Sequence, residues 1–349
     1  MNRYLFSLLF VLLLLPAHHA GAQQVKLRAN LQFPLANPIF GAPLARFKEQ
    51  VARLSENAIV IEIFDKAQLL TDDKVVNAVS SGTIDIAMTA AHQFSEKAPL
   101  SASLDQPFLF NFNALMNKAA KPESEIRKLI DATILTEVGA RVLWWNALGN
   151  NVFFSKGRDV ADPVRMQDQR VGSPGKLPGD LVAACGGKPA VMTIEKFHAA
   201  YKDGALDMSV AGFGAIAAYK LEKFVDTVTF THHTPIVFLL LISEKTWQSL
   251  SPAHRAIVAQ TAAKVETEIR GNQAKSEVRA HAFASKNNLK LQELTSDQVA
   301  DWRACSAGML ADFMDRNGDR AQQIMAAYGR LRVNPCCSAA PGSVVFTRR

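Results

Sequence analysis

The chain has 349 residues, 48% of them hydrophobic and 20% charged, with a formal net charge of +7. That is enough apolar material for two globular lobes and too much for a disordered chain, and 19 glycines with 15 prolines exclude collagenous and low-complexity readings. Four cysteines are too few to staple a chain of this length, so its stability has to come from buried cores.

The first feature in chain order is a leader. Arg3 supplies a positive charge, Leu5 to Leu15 is an almost unbroken apolar run, and Ala20-Gly21-Ala22 has the small residues of a cleavage site. The run is shorter than the roughly 20 residues a membrane-spanning helix needs. Residues 1–22 are therefore expected to be a secretory signal peptide, and the mature protein to be soluble and periplasmic. Export makes a nucleic-acid partner unexpected, and no block of five or more basic residues argues for one. The same compartment permits disulfides, and a bridge from Cys305 to Cys336 or Cys337 is one open pairing.

Val25 to Phe33 reads as a strand and Phe40 to Ser55 as an amphipathic helix with Leu44, Phe47, Val51 and Leu54 on one face. Ile59 to Phe64 alternates as a strand, Thr71 or Asp72 caps a helix through Val79, and Gly82 ends it before a strand from Thr83 to Thr89. A third cycle has a helix from about Pro122 to Thr136 and a strand from Arg141 to Trp145. From Asn146 the composition turns to Asn, Gly and Ser, which marks a crossing into a second lobe.

There the pattern repeats: a short strand ending at Arg170 to Gly172, helices from Leu177 to Cys185 and Ile194 to Lys202, and strands at Ala205 to Val210, Val225 to Phe230 and Ile236 to Ile242. Ser251 caps, and Pro252 opens, a helix that nothing need break before Asn287, although Gly271 is an earlier candidate. Unbroken, it is about 36 residues and roughly 54 Å long, longer than one lobe is wide. Helices from Asp297 to Asp315 and Asp319 to Leu331 follow, separated by Asn317-Gly318. The order predicts an α/β protein with a mostly parallel sheet and helices on both faces.

No catalytic template fits. The chain lacks His-Glu-x-x-His, a Walker-type lysine loop and a Gly-x-Ser-x-Gly elbow. Asp315, Asn317 and Asp319 imitate a calcium loop without its twelfth-position Glu, and read better as a helix break plus a cap. Gly212-Phe213-Gly214 with Ala217 matches the form of a dinucleotide fingerprint but has no acidic residue about 20 positions on; what survives is a set of backbone amides suited to a small anion. His232 and His233 are expected at the surface or in a turn. Arg170 offers a planar fork of donors that suits a carboxylate, or else an ion pair with Asp168 or Asp180. No cofactor and no metal are expected.

Several segments together resemble the DctP-like solute-binding proteins of tripartite ATP-independent periplasmic (TRAP) transporters. They are Asn37-Pro38 with the helix to Val51, Val60 to Phe64 leading to Gln68-Leu69, Gly82 to Ala87, Gln106 to Phe110, Asp162-Pro163, Arg170-Val171 with Ser173-Pro174, Gly186 to Pro189 with Met192, Glu195 to Phe197, and Gly204 to Asp207. The likeness runs from about Val25 to Ala284. It implies a two-lobed periplasmic-binding-protein fold with mixed sheets, a long helix spanning both lobes, and a small organic acid captured between the lobes for delivery to a membrane permease. A binding module for a sensor system, or an exported enzyme acting on a carboxylate, is the alternative reading.

On this resemblance, lobe I comprises 23–145 plus about 229–270, lobe II 146–228 plus about 271–331, and 332–349 is a C-terminal tail. Arg170 falls on the family's carboxylate-binding arginine, Asn151 where many members have a second ligand-facing arginine, Phe197 on an aromatic packing position, Met88 and Ala90 on cleft positions, and Ala211 on a polar contact. Gly212 and Phe213 would add amide donors, and Asn37 and His92 complete the candidate ligand-binding set. The chain departs from the family in having Asp207-Met208-Ser209-Val210 for the usual Asp-Gly-x-Glu. With Asn151 and Ala211 in place of more polar groups, the expected ligand is a monocarboxylate with an apolar or aromatic body. A monomer is the expected oligomeric state.

Overall fold

The computed structural model describes residues 24–111 and 113–333. The expected signal peptide, Cys336, Cys337 and all but the first two residues of the expected tail lie outside the described residues.

The first lobe begins with β1 (Val25–Asn30), α1 (Gly41–Leu54), β2 (Ile59–Phe64), α2 (Asp72–Ser81) and β3 (Ile86–Ala90). Two 3-10 turns, Ala91–Phe94 and Pro99–Asp105, lead to α3 (Asn113–Ala119) and α4 (Glu125–Val138). The 16-residue β4 (Ala140–Ser155) then crosses into the second lobe. That lobe holds β5 (Arg170–Ser173), α5 (Lys176–Ala184), β6 (Lys188–Val191), α6 (Ile194–Lys202), β7 (Met208–Gly212), α7 (Ala215–Ala218) and β8 (Thr227–Phe230). The chain returns through β9 (Pro235–Ser243) and α8 (Glu244–Ser249), and closes with α9 (Pro252–Lys286), β10 (Lys290–Glu293) and α10 (Ser296–Val333).

One ten-stranded mixed sheet runs through the molecule in the order β2-β1-β3-β9-β4-β7-β5-β6, with β8 on β4 and β10 on β8. Strand alternation explains its layers, since successive side chains leave opposite faces. In β9, Leu240 and Ile242 join Trp144, Phe47 and Val51 on one face, while Leu239 and Leu241 join Trp145, Ile130 and Ile134 on the other. The second lobe repeats this, with Phe154, Ala211 and Phe197 on one side and Phe153, Val210, Leu181 and Trp302 on the other. Both faces are covered, so the central strands read as continuous apolar runs.

The helix α9 is unbroken over 35 residues and is capped by Ser251, whose hydroxyl accepts from the His254 amide at 3.2 Å. It packs Val258, Ala262 and Val265 in the first lobe and Ala280 and Ala284 in the second. Helix α10 is two helices that meet at the expected break, with Gly318 non-helical at φ 50° and ψ −128°. Its C-terminal half, with Phe313, Ala321, Ile324 and Ala327, lies in the first lobe's core. The expectation that 271–331 belongs to lobe II is corrected on that point. The cysteine pairing is corrected too: Cys305 is bonded to Cys185, which ties α10 to the end of α5.

Candidate functional site

Three kinds of segment converge where the lobes meet. The end of β3 and the turns after it bring Ala90, His92, Leu104 and Asp105 from the first lobe. The ends of β5 and β7 bring Pro174 and Gly212 from the second, and the crossing strands add Asn151, Ile236 and Phe238. They enclose a cavity of about 70 Å³. That is smaller than a cavity of about 150 Å³ known to hold benzene.

Each polar group here is held by its element. Asn151 pairs with Gly212 in the β4–β7 ladder, its amide donates to the Thr234 carbonyl at 2.8 Å, and its Nδ2 donates to Thr234 Oγ1 at 2.9 Å. A Cβ at Gly212 would stand 2.5 Å from Ile236 Cδ1, so a larger residue there would turn the end of that side chain aside. His92 is fully buried; burial lowers its pKa to about 4, opposed by contact with the Pro174 backbone, so the ring is neutral. Burial alone raises the Asp105 carboxyl to about 7. Asp72 at the start of α2 accepts from Thr89 Oγ1 at 2.6 Å and Gln93 Nε2 at 3.0 Å, and burial, aided by Glu195 of the second lobe, raises it to about 6.

Of the candidates read from the sequence, Ala90, His92, Asn151 and Gly212 meet at this cavity. Met88 is in the first lobe's core, and Phe197 on α6, with Ala211 and Phe213, is in the second's; none of the four lines the cavity. Asn37 shapes the turn before α1, its Oδ1 accepting from the Ile39 and Phe40 amides.

Arg170 is a correction. It opens β5, three residues before the cleft-side end, so about 10 Å of strand separates it from the lip. Its guanidinium is exposed and forked onto Asp207, Nε to Oδ2 at 3.0 Å and Nη2 to Oδ1 at 2.7 Å, with Nη1 donating to the Gly204 carbonyl. The anchor role expected for it has no geometric basis here. A wider recess of about 350 Å³ beside Asp207, with Lys156, Arg158 and Lys223, belongs to the second lobe alone, so lobe closure cannot sense a ligand in it.

The Gly212 motif opens α7, a helix of only four residues, in keeping with the rejection of a dinucleotide turn. One other expectation changes. His233 is buried and stacked on Phe153 with ring centroids 5.2 Å apart, whereas His232 is half-buried, its Nε2 3.1 Å from Glu293. Among the described residues no group of three or more His, Cys, Asp or Glu could hold a metal. Sequence reasoning missed Asp105; a lone acid inside the apolar run Leu104 to Phe110 was the available signal.

Two α/β lobes joined by crossing strands, with a cavity built from both, define a solute receptor. The chain belongs to the bacterial extracellular solute-binding protein family 7, DctP, whose family model matches residues 32–317. A solute-binding protein of Roseobacter denitrificans is 24% identical over 227 residues, covering 65% of this chain and 69% of the relative. Among solved structures, DctP7, a Bordetella pertussis extracytoplasmic solute receptor binding pyroglutamic acid, is similar with a TM-score of 0.80 at 18% identity, over 87% of this chain and 99% of that one. A TRAP periplasmic solute-binding protein of Chromohalobacter salexigens with bound D-glucuronate also has a TM-score of 0.80, at 18% identity and the same coverage. Among the described residues no helix is long and apolar enough to cross a membrane.

Proposed function

We propose that this protein is a periplasmic receptor that captures a small organic acid between its lobes and delivers it to a TRAP-type membrane permease. The observation that carries the reading is the shared lining: Asp105 and His92 come from one lobe, Pro174 and Gly212 from the other. A ligand touching both sets favours the closed form over the open one by the contacts it makes only there. Similarity to receptors of pyroglutamic acid and D-glucuronate supports an acid as the ligand. Leu104, Pro174, Ile236 and Phe238 leave few polar partners, and an unpaired hydroxyl in a closed cleft costs about 1 to 3 kcal/mol, which favours a monocarboxylate with an apolar body. The protein acts as a monomer and turns nothing over.

A thermal-shift screen of small organic acids tests this. A ligand at 100 times its Kd stabilises the folded form by about 2.7 kcal/mol. No shift with any acid, or chemical conversion of the bound acid, would sink the proposal. Dependence of uptake on both this receptor and a TRAP permease in membrane vesicles tests the partner.

A further inference from the structure

Three polar side chains reach the cavity, and two of them end in atoms without a partner. Oδ2 of Asp105 and Nε2 of His92 are buried and make no hydrogen bond, whereas Nδ2 of Asn151 is engaged by Thr234. No lysine or arginine stands among the described residues lining the cavity. A ligand carboxylate entering this space therefore meets a second carboxyl group with no cation to separate them. Two negative charges in a water-poor site repel and lose hydration together, and such pairs ordinarily share a proton.

Resting on the organic-acid reading above, we infer that the cleft takes up its acid together with one proton, carried by Asp105, whose Oδ2–H donates to the ligand carboxylate. No covalent bond changes apart from the O–H bond, and the proton comes from solvent. The site thus neutralises its ligand without a basic side chain.

The surroundings of Asp105 agree. It ends the turn Pro99–Asp105, which packs against Ala91–Phe94, α4, α10 and β9. The first of these contributes His92, and β9 has no titratable side chain. On α4 and α10, Arg127 is paired with Asp131 and Glu266, Arg320 with Glu137, and Arg330 with Glu125. Burial is the sole influence on the Asp105 carboxyl, and at about 7 it can take up a proton near neutral pH.

Isothermal titration with pyroglutamate, D-glucuronate and a wider set of organic acids, between pH 6 and 9 in buffers of different ionisation enthalpy, tests the inference. Close to one proton should be taken up per bound acid at pH 8, with affinity falling about tenfold per pH unit above 7. Asp105→Asn, which keeps a permanent donor, should bind at least tenfold more tightly than the wild type at pH 9 and take up no proton. Asp105→Leu should bind weakly at every pH. An acid bound without proton uptake overturns the inference and leaves the organic-acid reading standing. Loss of binding in a folded Asp105→Asn variant overturns it as well, because the site would then need an anion facing a ligand cation. If no acid binds at any pH, the organic-acid reading fails and the inference fails with it.

Discussion

His92 of the first lobe and Gly175 of the second nearly touch: a Cβ added to Gly175 would lie 2.8 Å from Nε2 and 2.9 Å from Cδ2 of the imidazole. With φ at 166° the backbone of Gly175 is extended and open to any residue, so it is the ring across the cleft that excludes a side chain.

Gly175→Ala should therefore hold the lobes apart. Each 1.4 kcal/mol added to the cost of closure weakens binding tenfold, and a clash with a buried ring costs at least that. Titration calorimetry should give a Kd raised tenfold or more, with small-angle scattering showing a more open form. An unchanged Kd would mean that ligand binding does not need this approach.

Arg170→Ala should leave ligand affinity unchanged, since the guanidinium serves Asp207 at the far end of β5. The pair is solvent-exposed and screened, so the melting temperature should move little. Abolished binding with normal folding would restore Arg170 as the anchor.

The Cys185–Cys305 bond closes a segment with a sequence separation of 120. Loop-entropy arithmetic for a loop of that order gives about 4 to 5 kcal/mol, within a usual range of roughly 2 to 5 for a native bridge. Thermal unfolding of Cys305→Ser, or of the reduced protein, should show a clear loss of stability. An unaltered unfolding curve would deny the bond a structural role.

Arg127, Glu266 and Asp131 form a buried network at the junction of α4, α9 and β4: Arg127 bonds both acids, Glu266 accepts from the Trp145 amide at 3.1 Å, and Asp131 from Trp145 Nε1 at 2.8 Å. Glu266→Ala leaves the guanidinium in a dry interior. The expected cost is about 3 to 5 kcal/mol in denaturant unfolding.

Stability should also depend on pH through Asp105. The folded protein holds this proton up to about pH 7, while the unfolded chain releases it near the ordinary value of 3.8. Rising pH between those values therefore favours unfolding, and the loss is complete above 7. His92 and His233, lowered to about 4 and 3, work in the opposite sense, losing stability as pH falls below about 6.5. The difference between Asp105→Asn and the wild type isolates the first effect. It should be small at pH 4 and reach the order of 4 kcal/mol in favour of the variant at pH 8; a difference independent of pH would contradict it.

The sequence made the layers plain and the site obscure, for separate physical reasons. Ile59–Phe64 and Ile194–Lys202 stand where their periodicities placed them, because an element that buries one face must show its period. Asn146 to Asn151 looked like a loop yet lies within β4. Its side-chain amide donors find acceptors distant in sequence: Asn146 Nδ2 donates to the Ile39 carbonyl, and Asn150 Nδ2 to the Asn111 carbonyl and to Asn113 Oδ1. Arg170 and Asp105 show the same gap. Composition and spacing identify a guanidinium or a carboxyl, but only the direction of a strand and the packing of a turn decide which one faces the cleft.

The junction between the lobes is a continuous ladder. Along β4, pairing passes from β9 to β7 and β8, with register shifts between Val142 and Trp144 and between Ala147 and Asn150, and with Gly149 at φ +92°. The two lobes are thus joined by a hydrogen-bonded ribbon and not by a slack tether, and any parting of them has to flex that ribbon as a leaf spring flexes.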